Sequence, residues 1–245
     1  VIIGDFLAIV LVKQLYGGIG KNFLNPALAG RAFMLAGYAG LMTTWAVPSA
    51  LKTVVDGTTM ATPLTYLKAG EALPEYFNLM DMFIGKVPGC IGEISTAALL
   101  LGFLYLLVRK VISWRIPVTF VGTVAVLTLI FGKSGYGNVE WMLFNLCSGG
   151  LMLGAVFMAT DYCTSPVTPK GQLIFGVGCG LLTVLIRYFG GYPEGVSYAI
   201  LIMNLLVWAI DKATPQRQFG ISAQELKAAK QAAKAEKKAA KEAQA

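Results

Sequence analysis

The chain has 245 residues, of which 56% are hydrophobic and only 13% are charged, and its formal net charge is +7. A soluble globular domain carries about a quarter charged residues, so this composition argues against a soluble domain and favours a membrane protein. The sequence contains no histidine, which removes the commonest side-chain ligand of transition metals and of haem. Any redox cofactor of the chain is therefore expected to be organic, and no metal site is predicted.

In chain order, residues 6–12 and their neighbours resemble the end of a helix that began earlier, so we expect a fragment that lacks its N-terminus. Several uncharged stretches then reach or approach the roughly 20 residues that a helix needs to cross a bilayer. These stretches are residues 32–51, 94–108, 116–132, 141–160, 171–186 and 195–210. The sequence predicts an all-α, polytopic membrane protein with about seven transmembrane helices in this fragment.

Two basic segments predict the orientation of these helices. The loop 109–115 contains three basic residues, and residues 212–245 contain eight basic and three acidic residues. Short basic loops face the cytoplasm, and an even number of predicted crossings separates these two segments. The segment 43–90 is then extracytoplasmic, and the loop 161–170 is cytoplasmic.

The C-terminal basic residues predict a boundary between two regions. Residues 1–212 form the predicted transmembrane domain, and residues 213–245 form a basic, Ala/Lys-rich cytoplasmic tail with helical spacing of its lysines. The tail sets orientation or contacts anionic membrane lipid or a partner. It lacks the interleaved aromatic residues of a nucleic-acid-binding segment, so no nucleic acid is expected as a partner.

Two loops on the predicted opposite faces resemble each other. Residues 56–63 and 161–169 both begin with D-x-x-T and end with Thr-Pro, and an A-x-x-M-A or similar apolar segment precedes each. Related segments with opposite orientation are typical of inverted repeats, whose helices are often broken at the binding site. The 28 glycines cluster at expected helix breaks, among them residues 17–20, 85–92 and 149–150. Close helix packing through small residues is the alternative, and it is the favoured interpretation for 149–150. We therefore predict an inverted-repeat helical bundle with broken helices.

Polar side chains inside or beside the apolar stretches are candidates for function, because such groups are expensive in a bilayer. The same side chains also serve as hydrogen-bonding links between helices, and spacing alone does not separate the two roles. They are Asp5, Arg31, Glu93, Asn145, Asp161, Arg187, Glu194 and Asn204.

The loop 56–63 concentrates hydroxyl groups in the predicted outer segment. Thr58, Thr59 and Thr62 lie close to Asp56, but the loop has no histidine or cysteine. A threonine nucleophile needs an adjacent base, so this loop is a poor hydrolytic site. It is better suited to be modified by another enzyme, and no catalytic residue is predicted in this chain.

Five motifs of the chain, in the same order, resemble those of a known family. They are G-G-I-G-K-N-F-L-N-P-A-L-A-G-R-A-F (17–33), D-G-T-T-M-A-T-P-L (56–64), P-G-C-I-G-E-I-S (88–95), G-A-V-F-M-A-T-D-Y-C-T-S-P (154–166) and I-R-Y-F-G-G-Y-P-E-G-V-S-Y-A-I-L (186–201). The sequence up to about residue 220 resembles the D subunit of the Rnf complexes, which are ferredoxin:NAD⁺ oxidoreductases. It also resembles the related B subunit of the Na⁺-translocating NADH:quinone reductase.

The resemblance implies a covalent flavin. In this family the threonine that closes an S/T-G-A-T motif carries FMN through a phosphoester, which an extracytoplasmic flavin transferase forms. Thr62 matches that threonine, and Asp56, Thr59 and Ala61 are its companion cofactor-binding candidates. Met60 stands where the motif commonly has glycine, a departure that we expect the transferase to tolerate.

The resemblance also implies a second flavin and a fold. The quinone-reductase relative binds riboflavin through asparagines that match Asn22 and Asn25, although both residues could instead cap a broken helix. Arg31, in the same motif, is a further cofactor-binding candidate. The family has about ten transmembrane helices in two inverted halves with a urea-transporter-like fold, so about three helices are expected to be absent from this chain.

The expected function is that of a membrane subunit of a translocase in the bacterial cytoplasmic (inner) membrane. It would pass electrons through the FMN on Thr62 between ferredoxin- and NAD-linked partners, with export of Na⁺ or H⁺. Flavoprotein, iron–sulfur and membrane subunits, and the transferase, are the implied partners. A solute channel or transporter with the same type of fold is the alternative, and a structural scaffold in such a complex is a third.

Overall fold

The computed structural model describes residues 1–48, 58–71, 73–74, 77–132, 137–192 and 194–216. Most of them are helical, and Val1–Ala213 form one compact unit. The predicted tail lies outside the described residues from position 217 onward. The helices are α1 (Ile2–Phe6), α2 (Pro26–Gly37), α3 (Ala39–Met42), α4 (Pro63–Ala69), α5 (Leu79–Ile84), α6 (Thr96–Val108), α7 (Arg115–Ile130), α8 (Asn138–Cys147), α9 (Leu151–Leu153), α10 (Pro169–Phe189) and α11 (Val196–Ala213).

Helices α10 and α11 are long and apolar enough to cross a membrane. A third span results if α8 is joined to α9 and its π-helical continuation, Gly154–Met158, because this pair passes the same test with a bend of 65°. Helices α6 and α7 are apolar but shorter. The described helices thus give two or three spans by length and composition, and the larger number of about seven stays a prediction.

The first helices differ in their limits from the uncharged stretches. The expected helix end near residues 6–12 is present, as α1 and its π-helical continuation Leu7–Gln14. The stretch 32–51 does not form one helix, because α2 begins at Pro26 and ends at Gly37. Arg31, which bounded that stretch in the sequence, lies inside α2, where the carboxylates of Glu93 and Glu194 pair with its guanidinium.

Close packing of α10 against α7 depends on glycines at small-residue spacing. A Cβ atom at Gly176 would lie 1.9 Å from the Thr119 hydroxyl oxygen, and one at Gly180 would lie 2.6 Å from Thr123 Cβ. Helices that associate in lipid gain little from the hydrophobic effect and rely on such close contact. Phe120 and Phe175, both fully buried, fill the adjoining core.

A two-stranded antiparallel sheet precedes α4, so the chain is not wholly α-helical. Strand β1 (Trp45–Ala46) pairs with β2 (Thr59–Met60), and Trp45 lies opposite Met60. Next to this sheet, a hydrophobic core cluster separate from that around Phe120 and Phe175 packs α4 against α5 and α8. Its buried members are Val47, Leu67, Phe77, Met82, Val87, Trp141 and Phe144. The sheet and this cluster place Thr62 at the start of α4.

Candidate functional site

Thr62 is the residue that precedes the first turn of α4. Its backbone is extended (φ −75°, ψ 155°), and Pro63 supplies the first helical position, which proline favours because it lacks an N–H group. Among the residues that the structure describes, no backbone N–H donates to the Thr62 hydroxyl, which lies 3.0 Å from the hydroxyl of Thr65. The side chain is half-buried. The oxygen is therefore open to chemistry rather than used as a helix cap.

Thr168 provides a direct comparison, because Thr168-Pro169 starts α10 in the same way. Here the threonine oxygen accepts a hydrogen bond from the backbone N–H of Gly171 at 2.9 Å, and the side chain is buried. This is the usual role of threonine at a helix N-terminus. The two loops that resemble each other in sequence thus share the Thr-Pro helix start but differ in what the hydroxyl does.

The Thr62 side chain lines a pocket of about 60 Å³. Trp45 and Tyr192 bring aromatic surface to this pocket, and Arg31 and Glu194 bring charge. The other lining residues are Leu35, Met42, Thr43, Thr65 and Cys90. A pocket with flat apolar surfaces and a few charged groups is suited to a planar, polar-edged ring.

Arg31 links helix α2 to the start of α11 beside this pocket. Its guanidinium lies 2.6 Å from a carboxylate oxygen of Glu194 and donates to the hydroxyl of Ser197 at 3.1 Å. A second carboxylate, Glu93, lies 3.9 Å away. Charge-assisted hydrogen bonds of this kind are short and directional, so Arg31 is held in one orientation at the pocket wall.

The break between α8 and α9 lies next to the side chains of Arg31 and Glu93. Gly149 has φ +66°, and a Cβ atom there would lie 2.8 Å from Leu64. Helix α8 therefore ends in a left-handed conformation that favours glycine. The Gly149-Gly150 pair lies at a helix break, whereas the sequence favoured a role in close helix packing for this pair. Arg187, which is buried, donates to two buried carbonyls at this break, those of Asn145 at 2.7 Å and Ser148 at 3.3 Å.

Lys68, at the end of α4, ties this helix to the segment that carries Tyr192. Its ammonium donates to the carbonyl of Gly190 and, at 2.6 Å, to that of Tyr192. Partial burial lowers the pKa of Lys68 from its ordinary value, because desolvation disfavours the charged form. The lysine connects the helix that Thr62 starts to an aromatic wall of the pocket.

Replacing Lys68 with methionine is expected to loosen α4. Loss of the hydrogen bonds to Gly190 and Tyr192 removes about 1.4 kcal/mol of local stability, equivalent to a tenfold change in an opening equilibrium. Hydrogen–deuterium exchange of α4 amides should then be about tenfold faster. Lys86→Met is the matched control, since Lys86 is exposed and pairs only loosely with Asp81 at 3.7 Å. Equal exchange rates in the two variants would contradict the proposed tie.

Comparison with known proteins identifies the family. A sequence profile of the NQR2, RnfD, RnfE family matches residues 1–220. The chain belongs to this family. It is 49% identical over 226 residues to the D subunit of the Na⁺-translocating ferredoxin:NAD⁺ oxidoreductase complex of Acetobacterium woodii, with 90% of this chain and 66% of the relative covered. The resemblance stated from the motifs is thereby confirmed.

The names of two further relatives do not mention Na⁺: one names the proton, and the other names no specific ion. The D subunit of the proton-translocating ferredoxin:NAD⁺ oxidoreductase complex of Clostridium ljungdahlii is 46% identical over 231 residues, with 90% of this chain and 68% of the relative covered. The D subunit of the ion-translocating oxidoreductase complex of Stutzerimonas stutzeri is 39% identical over 246 residues, with coverages of 90% and 70%. The chain spans about two thirds of the length of these curated relatives.

The family's expected flavin residues are distributed unevenly around the pocket. Thr62 and Arg31 both line it. Thr59 lies in β2 and is exposed, and Ala61 is half-buried, but neither is among the lining residues. Asp56 lies outside the described residues. The structure thus brings together the FMN candidate Thr62 and Arg31, which the sequence named as a cofactor-binding candidate without assigning it to either flavin.

The family's riboflavin candidates lie at the opposite end of α2. Asn25 caps this helix, since its side-chain oxygen accepts from Leu28 N at 3.3 Å while its amide donates to the Met158 carbonyl at 3.3 Å. The Asn22 amide donates to the Leu24 carbonyl at 3.1 Å. Capping, the alternative role that the sequence left open, is thus observed for Asn25, and riboflavin binding by either asparagine stays a prediction.

Trp45 and Tyr192 were not identified from the sequence. Both are aromatic residues near apolar stretches, a position that membrane proteins commonly fill with interfacial anchors. Tyr192 also stacks on Tyr198, with ring centroids 5.5 Å apart. Nothing in their spacing separates a pocket wall from an interfacial anchor, so only the fold reveals their shared position beside Thr62.

Proposed function

We propose that the chain is the flavin-carrying D-type membrane subunit of an ion-translocating ferredoxin:NAD⁺ oxidoreductase complex, with FMN esterified to Thr62. The observation that carries this proposal is the uncapped Thr62 hydroxyl beside a pocket with aromatic walls. Family membership and the names of the relatives supply the type of complex. The bound flavin would supply one- and two-electron redox chemistry.

The described residues fit this group. Thr62 offers its oxygen for the phosphoester bond at the edge of the adjoining pocket. Trp45 and Tyr192 provide surfaces on which a planar ring can stack. Arg31, whose charge is paired with that of Glu194 at 2.6 Å, would donate hydrogen bonds to a polar edge of the ring and so orient it.

The finer architecture is also part of the proposal. We expect two inverted halves with a urea-transporter-like fold and about seven spans in this chain, with Thr62 on the outer face and the tail after residue 212 in the cytoplasm. The shared Thr-Pro starts of α4 and α10 support such a repeat. A transferase outside the cytoplasm would then reach Thr62, and flavoprotein, iron–sulfur and other membrane subunits would exchange electrons with the flavin.

A solute channel or transporter remains the rival function, because a broken helix with charged side chains is also typical of transporters. The two functions differ in one chemical property of the chain. An electron carrier of this type keeps its flavin after denaturation, whereas a transporter has no covalent chromophore. A structural scaffold within the complex would likewise lack one.

The test is to express the full-length subunit with and without its flavin transferase and to examine the denatured band for flavin fluorescence. We expect fluorescence only when the transferase is present. Mass spectrometry of the tryptic peptide 53–68, which contains Thr62, should then locate FMN on Thr62. A dark band in the presence of an active transferase, or FMN on another residue, would refute the proposal.

A further inference from the structure

A small cavity beside Thr62 contains two buried oxygen atoms that have no hydrogen-bond partner in the described part of the chain. They are Glu93 Oε2 and Ser148 Oγ. Both residues line this cavity together with Thr62 and Glu194, and they are 5% and 3% exposed. Buried polar atoms without a partner are rare in native proteins. A carboxylate oxygen among them requires a functional explanation, because burying an unsatisfied charge is costly.

The two oxygens of Glu93 have different surroundings. Oε1 accepts a hydrogen bond from the backbone N–H of Cys90 at 3.1 Å. Oε2 faces the cavity and lies 3.9 Å from the Arg31 guanidinium, whose closer partner is Glu194 at 2.6 Å. Oε2 is thus the carboxylate oxygen of this group that is free to receive a proton. Ser148 Oγ, which also has no partner in the described residues, lines the same cavity.

The charged groups around Glu93 oppose one another. Arg31 of α2 and the Cys90 amide favour the carboxylate, whereas burial and Glu194, which precedes α11, favour the neutral acid. Arg187 of α10 lies behind the cavity, bonded to the Ser148 carbonyl at 3.3 Å. Two arginines and two glutamates therefore balance, and a change of one charge nearby is enough to alter the protonation of Glu93.

We infer that Glu93 is a redox-linked protonation site in the cavity that adjoins the flavin pocket. When one electron from a partner's iron–sulfur or flavin centre reaches the ring on Thr62, the Glu93 carboxylate takes up one proton from water and becomes a carboxylic acid. Reoxidation returns the electron to the next acceptor and the proton to water. The charges of the added electron and the added proton cancel, so the net charge of the flavin together with Glu93 does not change. The inference rests on the proposed flavin at Thr62.

The choice of Glu93 over Glu194 follows from their contacts. Glu194 is tied to Arg31 by a short charge-assisted hydrogen bond, and protonation would break that bond. Protonation of Glu93 weakens only a 3.9 Å ion pair. Because Thr62 lines the same cavity, Glu93 is close to any group attached to that residue.

The test uses the whole complex with covalent flavin and records the reduced-minus-oxidised infrared difference spectrum. We expect reduction to produce the carbonyl band of a protonated carboxylic acid, which shifts in D₂O and is absent from Glu93→Gln. In the wild type, uptake of one proton per electron makes the flavin midpoint potential fall by up to about 59 mV for each unit of pH increase. This part of the pH dependence should be absent from Glu93→Gln. Glu71→Gln removes an exposed carboxylate just after α4. It is the control and should behave as the wild type.

Each outcome bears on the inference. A wild-type spectrum without the carboxylic acid band overturns it, and so does a flavin-loaded Glu93→Gln complex that keeps the band. If Glu93→Gln carries no flavin, the decision falls to Glu93→Asp, which should retain the band at a shifted frequency; an unshifted band overturns the inference. A wild-type subunit without covalent flavin would instead refute the proposed function, so the two failures are distinguishable.

Discussion

Thr62→Ala is expected to abolish covalent flavin, so that the denatured subunit shows only background fluorescence. The hydroxyl oxygen is the only atom of this side chain that can form a phosphoester, and its loss leaves no acceptor. Thr62→Ser keeps the oxygen and should retain covalent flavin, although in smaller amount. The measurement is in-gel fluorescence at equal protein loading with an active flavin transferase present.

Two neighbouring threonines provide controls for this result. Thr65 lines the same pocket, with its hydroxyl 3.0 Å from that of Thr62, and Thr168 starts α10 before a proline as Thr62 starts α4. Thr65→Ala and Thr168→Ala should both stay fluorescent. Thr168→Ala should lose about 1 kcal/mol of stability, because a helix cap is removed. Fluorescence that survives in Thr62→Ala would place the flavin elsewhere.

Arg187→Met is expected to have the largest effect on stability. The variant leaves the Asn145 and Ser148 carbonyls at the α8–α9 break without their buried donor. Each buried group that loses its partner costs about 1–3 kcal/mol, so we expect a loss on the order of 3 kcal/mol, or roughly 6–12 °C in the unfolding midpoint. Thermal unfolding of the purified subunit in detergent, followed by size-exclusion chromatography, measures this shift.

Other arginine variants separate charge from hydrogen bonding at this site. Arg109→Met removes an arginine that is exposed at the end of α6 and should leave the midpoint almost unchanged. Arg187→Lys keeps the charge but cannot reproduce the planar arrangement of donors, so its midpoint should lie between those of the wild type and Arg187→Met. Equal midpoints for Arg187→Met and Arg109→Met would show that Arg187 does not hold the break.

Sequence patterns predicted the long helices well and the first part of the chain less well. The uncharged stretches 171–186 and 195–210 lie within or almost within α10 and α11, because these helices carry charge only near their ends. The stretch 32–51 failed as a guide to α2 because Arg31 is inside that helix. A charged residue can lie inside an apolar helix when an opposite charge pairs with it. The partner of Arg31, Glu194, is distant in sequence, so the stretch of uncharged residues did not reveal this pair.

Sequence patterns were also insufficient to predict how the residues of the candidate site come together. Arg31, Glu93, Arg187 and Glu194 were each recognisable as polar residues in apolar surroundings, but spacing along the chain did not indicate that they meet. Their contacts depend on the break at Gly149 and on the packing of α2 against α11. Thr62 was identified by its motif, whereas the pocket walls Trp45 and Tyr192 required the fold.

The two Thr-Pro helix starts have a consequence for how a modifying enzyme selects its target. At Thr168 the oxygen is buried and already accepts the Gly171 N–H, so it is a poor nucleophile and out of reach. At Thr62 the corresponding oxygen faces a pocket and has no such bond to the described backbone. If the chain is modified as proposed, discrimination between two similar acceptor sequences is thus partly a property of the substrate's own folded state. A transferase acting on the folded chain would then need to recognise little more than the loop that presents the Thr62 hydroxyl.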